Sequence, residues 1–200
     1  MRHLRRVDAV IGRLIDECGP FPPRAPGDPY EALIRSIMFQ QLAGAAASAI
    51  LGRLLAHFGS DGRYPTPEEL LGTTDEQFRA AGVSRQKAGY LRDLAQHLQD
   101  GSLNLGALPA SDDAEVIERL TVVHGVGVWT AQMFLMFQLG RLDVLPVGDL
   151  GVRRGMQVAY ALAETPSPAE ATVIGARWTP FRSVGAWYMW RAADIRTPGA

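Results

Sequence analysis

Residues 112–139 run DDAEVIERL, TVVHGVGV and WTAQMFLMFQL, two segments of helical apolar spacing joined by a turn that holds Gly125 and Gly127. Glycines on either side of Val126 let the chain reverse sharply and present successive backbone N–H groups, and the start of the next helix adds its own unpaired amides. Such a concave set of donors suits a phosphate oxygen. The donors are neutral, so the device works on a chain whose formal net charge is −1. With 21 glycines in 200 residues, a Gly-x-Gly pair is a weak signal by itself, and an ordinary helix-helix corner accounts for it equally well. Asp149, in VLPVGDLGVRRG, is the second group of interest. Standing before GVRRGMQVAYAL, it is a favoured N-cap, and the residues alone favour that structural role. The roles are compatible, because a capping carboxylate is fixed in orientation, as an electrostatic catalyst must be.

A helical scaffold positions these groups. Apolar residues recur every three to four positions, as in Ala88, Leu91, Leu94, Ala95 and Leu98, and alternating β-branched runs are few, so the fold class is all-α. Punctuation at 19–29, 59–67, 101–109, 145–148 and 165–168 divides the chain into about ten helices. Helix starts are expected at Asp28 with Pro29, Thr66 with Pro67, Ser84, and Ser111 with Asp112 and Asp113, where side-chain oxygens meet unpaired amides. MRHLRRVDAVIGRLIDEC reads as one amphipathic helix. With no repeat at a fixed period, residues 1–200 form a single helical domain of one or two interleaved lobes.

Composition excludes several classes. An apolar fraction of 47% with 20% charged residues is globular, and a chain of this length buries about 70% of its unfolded surface. No apolar run reaches the length of a bilayer span, and no signal-peptide cleavage pattern follows the basic start. One cysteine, Cys18, is incompatible with an internal disulfide framework, a Cys-ligated iron-sulfur cluster or a CxxC zinc site, and the expected compartment is the reducing cytoplasm. Lys87 is the single lysine.

The continuation HGVGVWTAQMFLMFQLGRLDVLPVGDLGVRRG, then RWTPFRSVGAWYMWR, with IMFQQLAGAAASAI and GVSRQKAGYLRDLA upstream, resembles the helix-hairpin-helix DNA glycosylases, in particular the alkylpurine branch typified by 3-methyladenine DNA glycosylase II. The resemblance runs from about Tyr30 to Arg191 and corresponds to a compact form without the N-terminal α/β domain of the best-known bacterial members. It implies two lobes around a cleft, with the motif at 112–139 and its hairpin at 121–128 on the DNA-binding face. DNA contacts would come from His124, Gly125, Val126, Gly127 and Thr130. The main-chain carbonyls of Thr121, Val123 and Val126 would bind a monovalent cation, sodium or potassium. His124 replaces a usual proline. Gln40, Gln41 and Leu42 match the segment that enters the gap left by a flipped nucleotide, with Gln41 or Leu42 as the wedge, and Phe39 stands where glycine is usual.

The same resemblance makes Asp149 the catalytic carboxylate, stabilising an oxocarbenium-like sugar as the glycosidic bond breaks. It makes Trp129, Met133, Trp178 and Phe39 the base pocket, whose aromatic faces recover the cost of unstacking. Arg153 and Arg154 are candidates for phosphates or for the acidic start of the preceding motif, whereas Trp187, Tyr188 and Trp190 are expected in the core and Arg182 and Arg191 as anchors of the last helix. Glycosylases that also nick the strand carry a Schiff-base lysine where this chain has Trp129. The implied enzyme is therefore a monofunctional, monomeric glycosylase acting in base excision repair on duplex DNA with damaged bases, nucleoid-associated, with no catalytic cofactor and no membrane partner. A non-catalytic helix-hairpin-helix binding module and a glycosylase for other damaged bases are the rival readings.

Overall fold

The computed structural model describes residues 1–22, 27–59 and 62–195, so the interiors of the turns expected at 19–29 and 59–67 lie partly outside the described residues. Among the described residues there is no strand, and no helix is long and apolar enough to cross a membrane. The α-helices are α1 (Arg2–Val7), α2 (Ala9–Cys18), α3 (Pro29–Phe39), α4 (Gly44–Phe58), α5 (Pro67–Gly72), α6 (Asp75–Ala81), α7 (Arg85–Gln99), α8 (Asp113–Thr121), α9 (Val128–Phe137), α10 (Leu150–Ala159), α11 (Pro168–Ala176) and α12 (Arg182–Ile195), with a 3₁₀ turn at Leu105–Ala110. The sequence suggested fewer because α1, α5 and α6 have only six or seven residues, too short to show an apolar period. The expected first helix is in fact two. Asp8 breaks it with φ −150°, and its carboxylate accepts the amides of Val10 and Ile11 to cap α2.

The chain forms two compact units, one of Pro26–Phe134 and one of Met1–Ala25 with Leu135–Ala200. In the central unit α7 packs against α3, α5 and α6, and α4 against α3 and α6. The anticipated caps hold: Asp28, Thr66 and Ser84 accept amides of the following turns, while Asp112 takes the place shared with Ser111. Buried Ala88, Leu91, Leu94 and Ala95 form the inner stripe of α7, and Leu33, Ile34, Ile37 and Met38 that of α3. Each large side chain so buried contributes about 1.5–3 kcal/mol, which fixes the C-terminal end of α3 against α7.

In the terminal unit α12 packs most extensively on α10 and also meets α2 and α11. The approach of α10 to α12 is backbone-close at Gly155, where a Cβ would lie 1.8 Å from the Met189 carbonyl oxygen. Asp8, only 5% exposed, accepts the Tyr160 hydroxyl and, at 3.0 Å, the Trp178 indole N–H. A buried carboxylate so satisfied ties α2 to the end of α10 and to the turn before α12. Burial, and then this bond to Asp8, push the Tyr160 hydroxyl pKa far up. Arg182 grips Asp143 through Nε and Nη2 at 2.8 and 3.0 Å, the anchoring role expected of it.

Candidate active site and nucleic-acid interface

In the terminal unit, Asp149 is the N-cap of α10, half-buried, and its Oδ1 accepts the Val152 amide at 2.8 Å. The same oxygen accepts the Trp190 indole N–H at 2.9 Å. Trp190 is itself held by stacking on Phe137, with ring centroids 5.8 Å apart and planes 28° from parallel. The carboxylate is thus oriented by one local amide and one distant indole, a preorganised negative charge.

Two tryptophans differ from their sequence assignments. Trp178 is fully buried with its N–H committed to Asp8, so it is a core residue and has no free face for a base. Trp190, expected in the core, is only partly buried and is bonded to Asp149. The signal was hard to read because α12 carries apolar residues nearly all round, whereas Tyr188 is buried as anticipated. Arg153 donates from Nη1 to the Pro166 carbonyl at 3.1 Å, which turns it toward the loop before α11. Of the expected acidic alternatives Asp112, Asp113 and Glu115, Asp112 caps α8 and Glu115 is paired with Arg119 on its own helix. Arg154 is exposed.

In the central unit, α8 ends at Thr121 and α9 begins at Val128, matching the hairpin span. Gly125 has φ +87°, and a Cβ there would sit 2.3 Å from the Tyr90 ring, so this turn requires glycine on both counts. The Val126 amide donates to the Val123 carbonyl at 2.9 Å. The turn is then pinned from outside: the His124 amide donates to Asp93 at 2.7 Å, and the Gly125 carbonyl accepts the Gln40 side-chain amide at 2.8 Å. Val123 and Val126 point inward, while His124 and Gly127 are exposed, with Val122, Val128 and Trp129 about half-exposed at 50%, 54% and 47%. The turn thereby presents main chain and small apolar surface. Thr130 is buried, so its side chain is not offered to a ligand, which corrects its place among the side-chain DNA contacts. Met133, one turn after Trp129, is half-buried.

Beside the hairpin, α3 ends at Phe39, half-buried with the Arg35 guanidinium 4.0 Å above its ring. Gln40 caps the helix, and Gln41 follows with φ +56°, a left-handed conformation that costs a non-glycine residue about 1 kcal/mol or more. Gln41 and Leu42 are exposed, as a wedge must be. Gln40 is not: its amide is spent on Gly125, which makes it a brace of the hairpin and corrects its place among the DNA contacts. Sequence reasoning missed three further braces. Lys87 donates from Nζ to the carbonyls of Met38 and Gln40, Asp93 holds His124, and the Tyr90 ring lies 5.4 Å from that of His124. All three are partly buried polar positions beside the inner stripe of α7, where apolar periodicity carries no signal.

Comparison with known proteins gives a consistent answer. Residues 34–180 match the family model of the HhH-GPD superfamily base excision DNA repair protein. DNA-3-methyladenine glycosylase 1 of Schizosaccharomyces pombe is 34% identical over 202 residues, covering 96% of this chain and 86% of that protein. Among solved structures, the S. pombe 3-methyladenine DNA glycosylase (Mag1) in complex with abasic DNA superposes with a TM-score of 0.86 at 34% identity, covering 97% of this chain and 96% of that one. The DNA-3-methyladenine glycosidase of Bacillus halodurans superposes with a TM-score of 0.83 at 37% identity, covering 96% of this chain and 87% of that one.

Proposed function

Because this chain belongs to the HhH-GPD superfamily of base excision DNA repair proteins, we propose that it is a monofunctional DNA glycosylase that excises alkylated purines of the 3-methyladenine and 7-methylguanine type from duplex DNA and leaves an abasic site. The observation that carries this reading is Asp149, a carboxylate fixed by the Val152 amide and the Trp190 indole. Alkylated purines carry positive charge and leave readily, so the chemical demand falls on the sugar. As the N-glycosidic bond breaks, the electron pair leaves with the base and the sugar becomes oxocarbenium-like. A carboxylate then stabilises that cation and orients the attacking water. At about 4 Å and an effective dielectric near 20 the attraction is about 4 kcal/mol, equivalent to about a thousandfold in rate.

The remaining roles follow the exposed groups. Trp129, with Met133 and Phe39, supplies faces for the unstacked base, where stacking contributes about 1–3 kcal/mol and a cationic base gains further cation-π attraction. Leu42 or Gln41 fills the gap, and the main chain of His124 to Gly127 grips the phosphate backbone. The carbonyls of Thr121, Val123 and Val126 are neutral oxygens of the kind that sodium and potassium accept. Val123 still has a second lone pair beyond its bond to Val126. A bound cation there would add positive charge beside the phosphates. With Trp129 in the place of a nucleophilic lysine and Lys87, the single lysine, committed to two carbonyls, no lysine is offered for strand cleavage by a Schiff base, and the protein acts as a monomer.

The test is release of bases from methylated duplex DNA, scored by identifying the released base and by alkali-labile sites, with Asp149→Asn alongside. Release of methylpurines by the natural protein and not by the variant supports the reading. Full release by Asp149→Asn removes the carboxylate from the mechanism, and no release by either with duplex binding intact leaves a binding module.

A further inference from the structure

The turn that carries the wedge and the hairpin that grips the backbone are joined by side chains rather than by packing alone. Lys87 Nζ donates to the Met38 carbonyl at 2.5 Å and to the Gln40 carbonyl at 2.8 Å. The first is one of the carbonyls a helix leaves without an intrahelical partner at its C-terminus, where a cation is favoured by the helix dipole as well. The second belongs to the peptide that precedes Gln41, so holding that oxygen fixes the plane from which the φ of +56° at Gln41 is set. The Gln40 side chain then runs the other way and donates to the Gly125 carbonyl at 2.8 Å. Asp93, on the same helix as Lys87, holds the next-door His124 amide at 2.7 Å. Helix α7 therefore fixes both elements, with Gln40 as the strut between them.

We infer that Lys87 is a positioning residue for base flipping: through Gln40 it holds the Gln41–Leu42 wedge in register with the backbone-gripping hairpin, so that a gripped phosphate places the wedge at the neighbouring nucleotide. This rests on the reading that the chain flips bases out of duplex DNA. A left-handed residue on an exposed turn relaxes unless its surroundings over-determine it. Two charge-assisted bonds from a half-buried ammonium supply that constraint. Burial lowers the pKa of this lysine, in keeping with an amine withdrawn from solvent.

The experiment uses the full chain and a duplex with 2-aminopurine beside a tetrahydrofuran abasic-site analogue, whose fluorescence rises when the stack is opened and a wedge enters. Hydrolysis plays no part in that signal. Lys87→Met should bind the duplex as the natural protein does, yet lose about tenfold or more in the fluorescence-detected flipping equilibrium, the size expected for a lost bond to a charged donor. Single-turnover release of methylpurines should fall in parallel. Lys87→Arg, which can still donate to both carbonyls, should recover most of the signal, and Gln40→Met, which breaks the strut alone, should reproduce the loss. Natural fluorescence and rate in Lys87→Met overturn the inference. So does equal failure of Lys87→Met and Lys87→Arg accompanied by a lowered melting temperature, which marks a role in folding only. If Lys87→Met does not fold, Gln40→Met decides, and an unchanged signal there refutes the strut. Intact fluorescence with no base release by the natural protein would instead refute the glycosylase reading and leave the brace standing.

Discussion

The two units hold their functional groups in different ways. In the terminal unit a side chain is the functional group, and the backbone positions it: Asp149 takes the Val152 amide three residues on, and one reinforcement from Trp190, 41 residues away. In the central unit the proposed functional group is the backbone, and side chains position it. The hairpin is pinned by Asp93 from 31 residues away and by Gln40 from 85. A carboxylate can be oriented by its own helix end, whereas this run of amides and carbonyls is held from outside as well as by the Val126-to-Val123 bond within the turn.

The largest effect should come from removing the charge alone. Asn is as good an N-cap as Asp, so Asp149→Asn should leave the melting temperature within a degree or two of the natural protein while single-turnover base release falls by about a thousandfold. Abasic-duplex affinity should be unchanged. A variant that melts early and also fails to bind would show that the cap, and not the charge, is what this residue supplies.

Next in size is Gly125→Ala, which attacks the backbone side of the comparison. Its Cβ meets the Tyr90 ring at 2.3 Å in a conformation with φ +87°. The turn must therefore distort, and duplex affinity should fall about tenfold to a hundredfold for a strain of roughly 1–3 kcal/mol. The rate at saturating enzyme should fall less, because Asp149 stands on other elements. Equal losses in binding and rate would mean that the two regions are not separable.

A pair of tryptophan substitutions sharpens the contrast within the terminal unit. Trp190→Phe keeps a ring to stack on Phe137 and removes only the indole donor to Asp149, so the rate should drop about tenfold with little change in stability. Trp178→Phe leaves a buried carboxylate, Asp8, short of one partner. It should destabilise the fold by about 1–3 kcal/mol without altering the rate of the folded fraction. Thermal melts and single-turnover kinetics on both variants check the assignment, and the reverse pattern would restore Trp178 to the base pocket.

The sequence made local devices legible and distant ones opaque. Asp28, Thr66, Ser84 and Asp149 were readable as caps because a cap acts within three residues. Gly125 marked the hairpin because its turn demands glycine, whereas Gly127 stands in open space, and the inner stripe of α7 was visible as a period. The family resemblance then named Asp149, while the burial of Trp178 and the bond from Trp190 to Asp149 show only in the folded chain. Gln40 looked like a DNA contact for a related reason: its partner, the Gly125 carbonyl, carries no side-chain signature at all. Lys87, Tyr90 and Asp93 sit partly buried beside the inner stripe of α7, where many residues fit the helical pattern and only the folded chain shows what each one touches.

The smallest effect tests a device wholly outside the functional regions. Thr66 and Glu69 form a capping box at the start of α5, and Arg63 adds two bonds to the Glu69 carboxylate at 2.7 and 2.6 Å. Arg63 first, and then the Thr66 amide, pull the Glu69 pKa down to about 2. A carboxylate held lower in the folded than in the unfolded state adds stability that is fully present above its unfolded value, about 4.3, and is lost as the pH falls through about 2. Glu69→Gln keeps the capping geometry and removes the charge, so the variant should melt slightly below the natural protein at neutral pH, and the two curves should converge as the pH approaches 2. The group is solvent-exposed, so added salt should shrink the difference. A gap that persists at pH 2, or one that ignores salt, would assign the effect to the shape of the cap instead of its charge, and base release at neutral pH should be the same in both proteins.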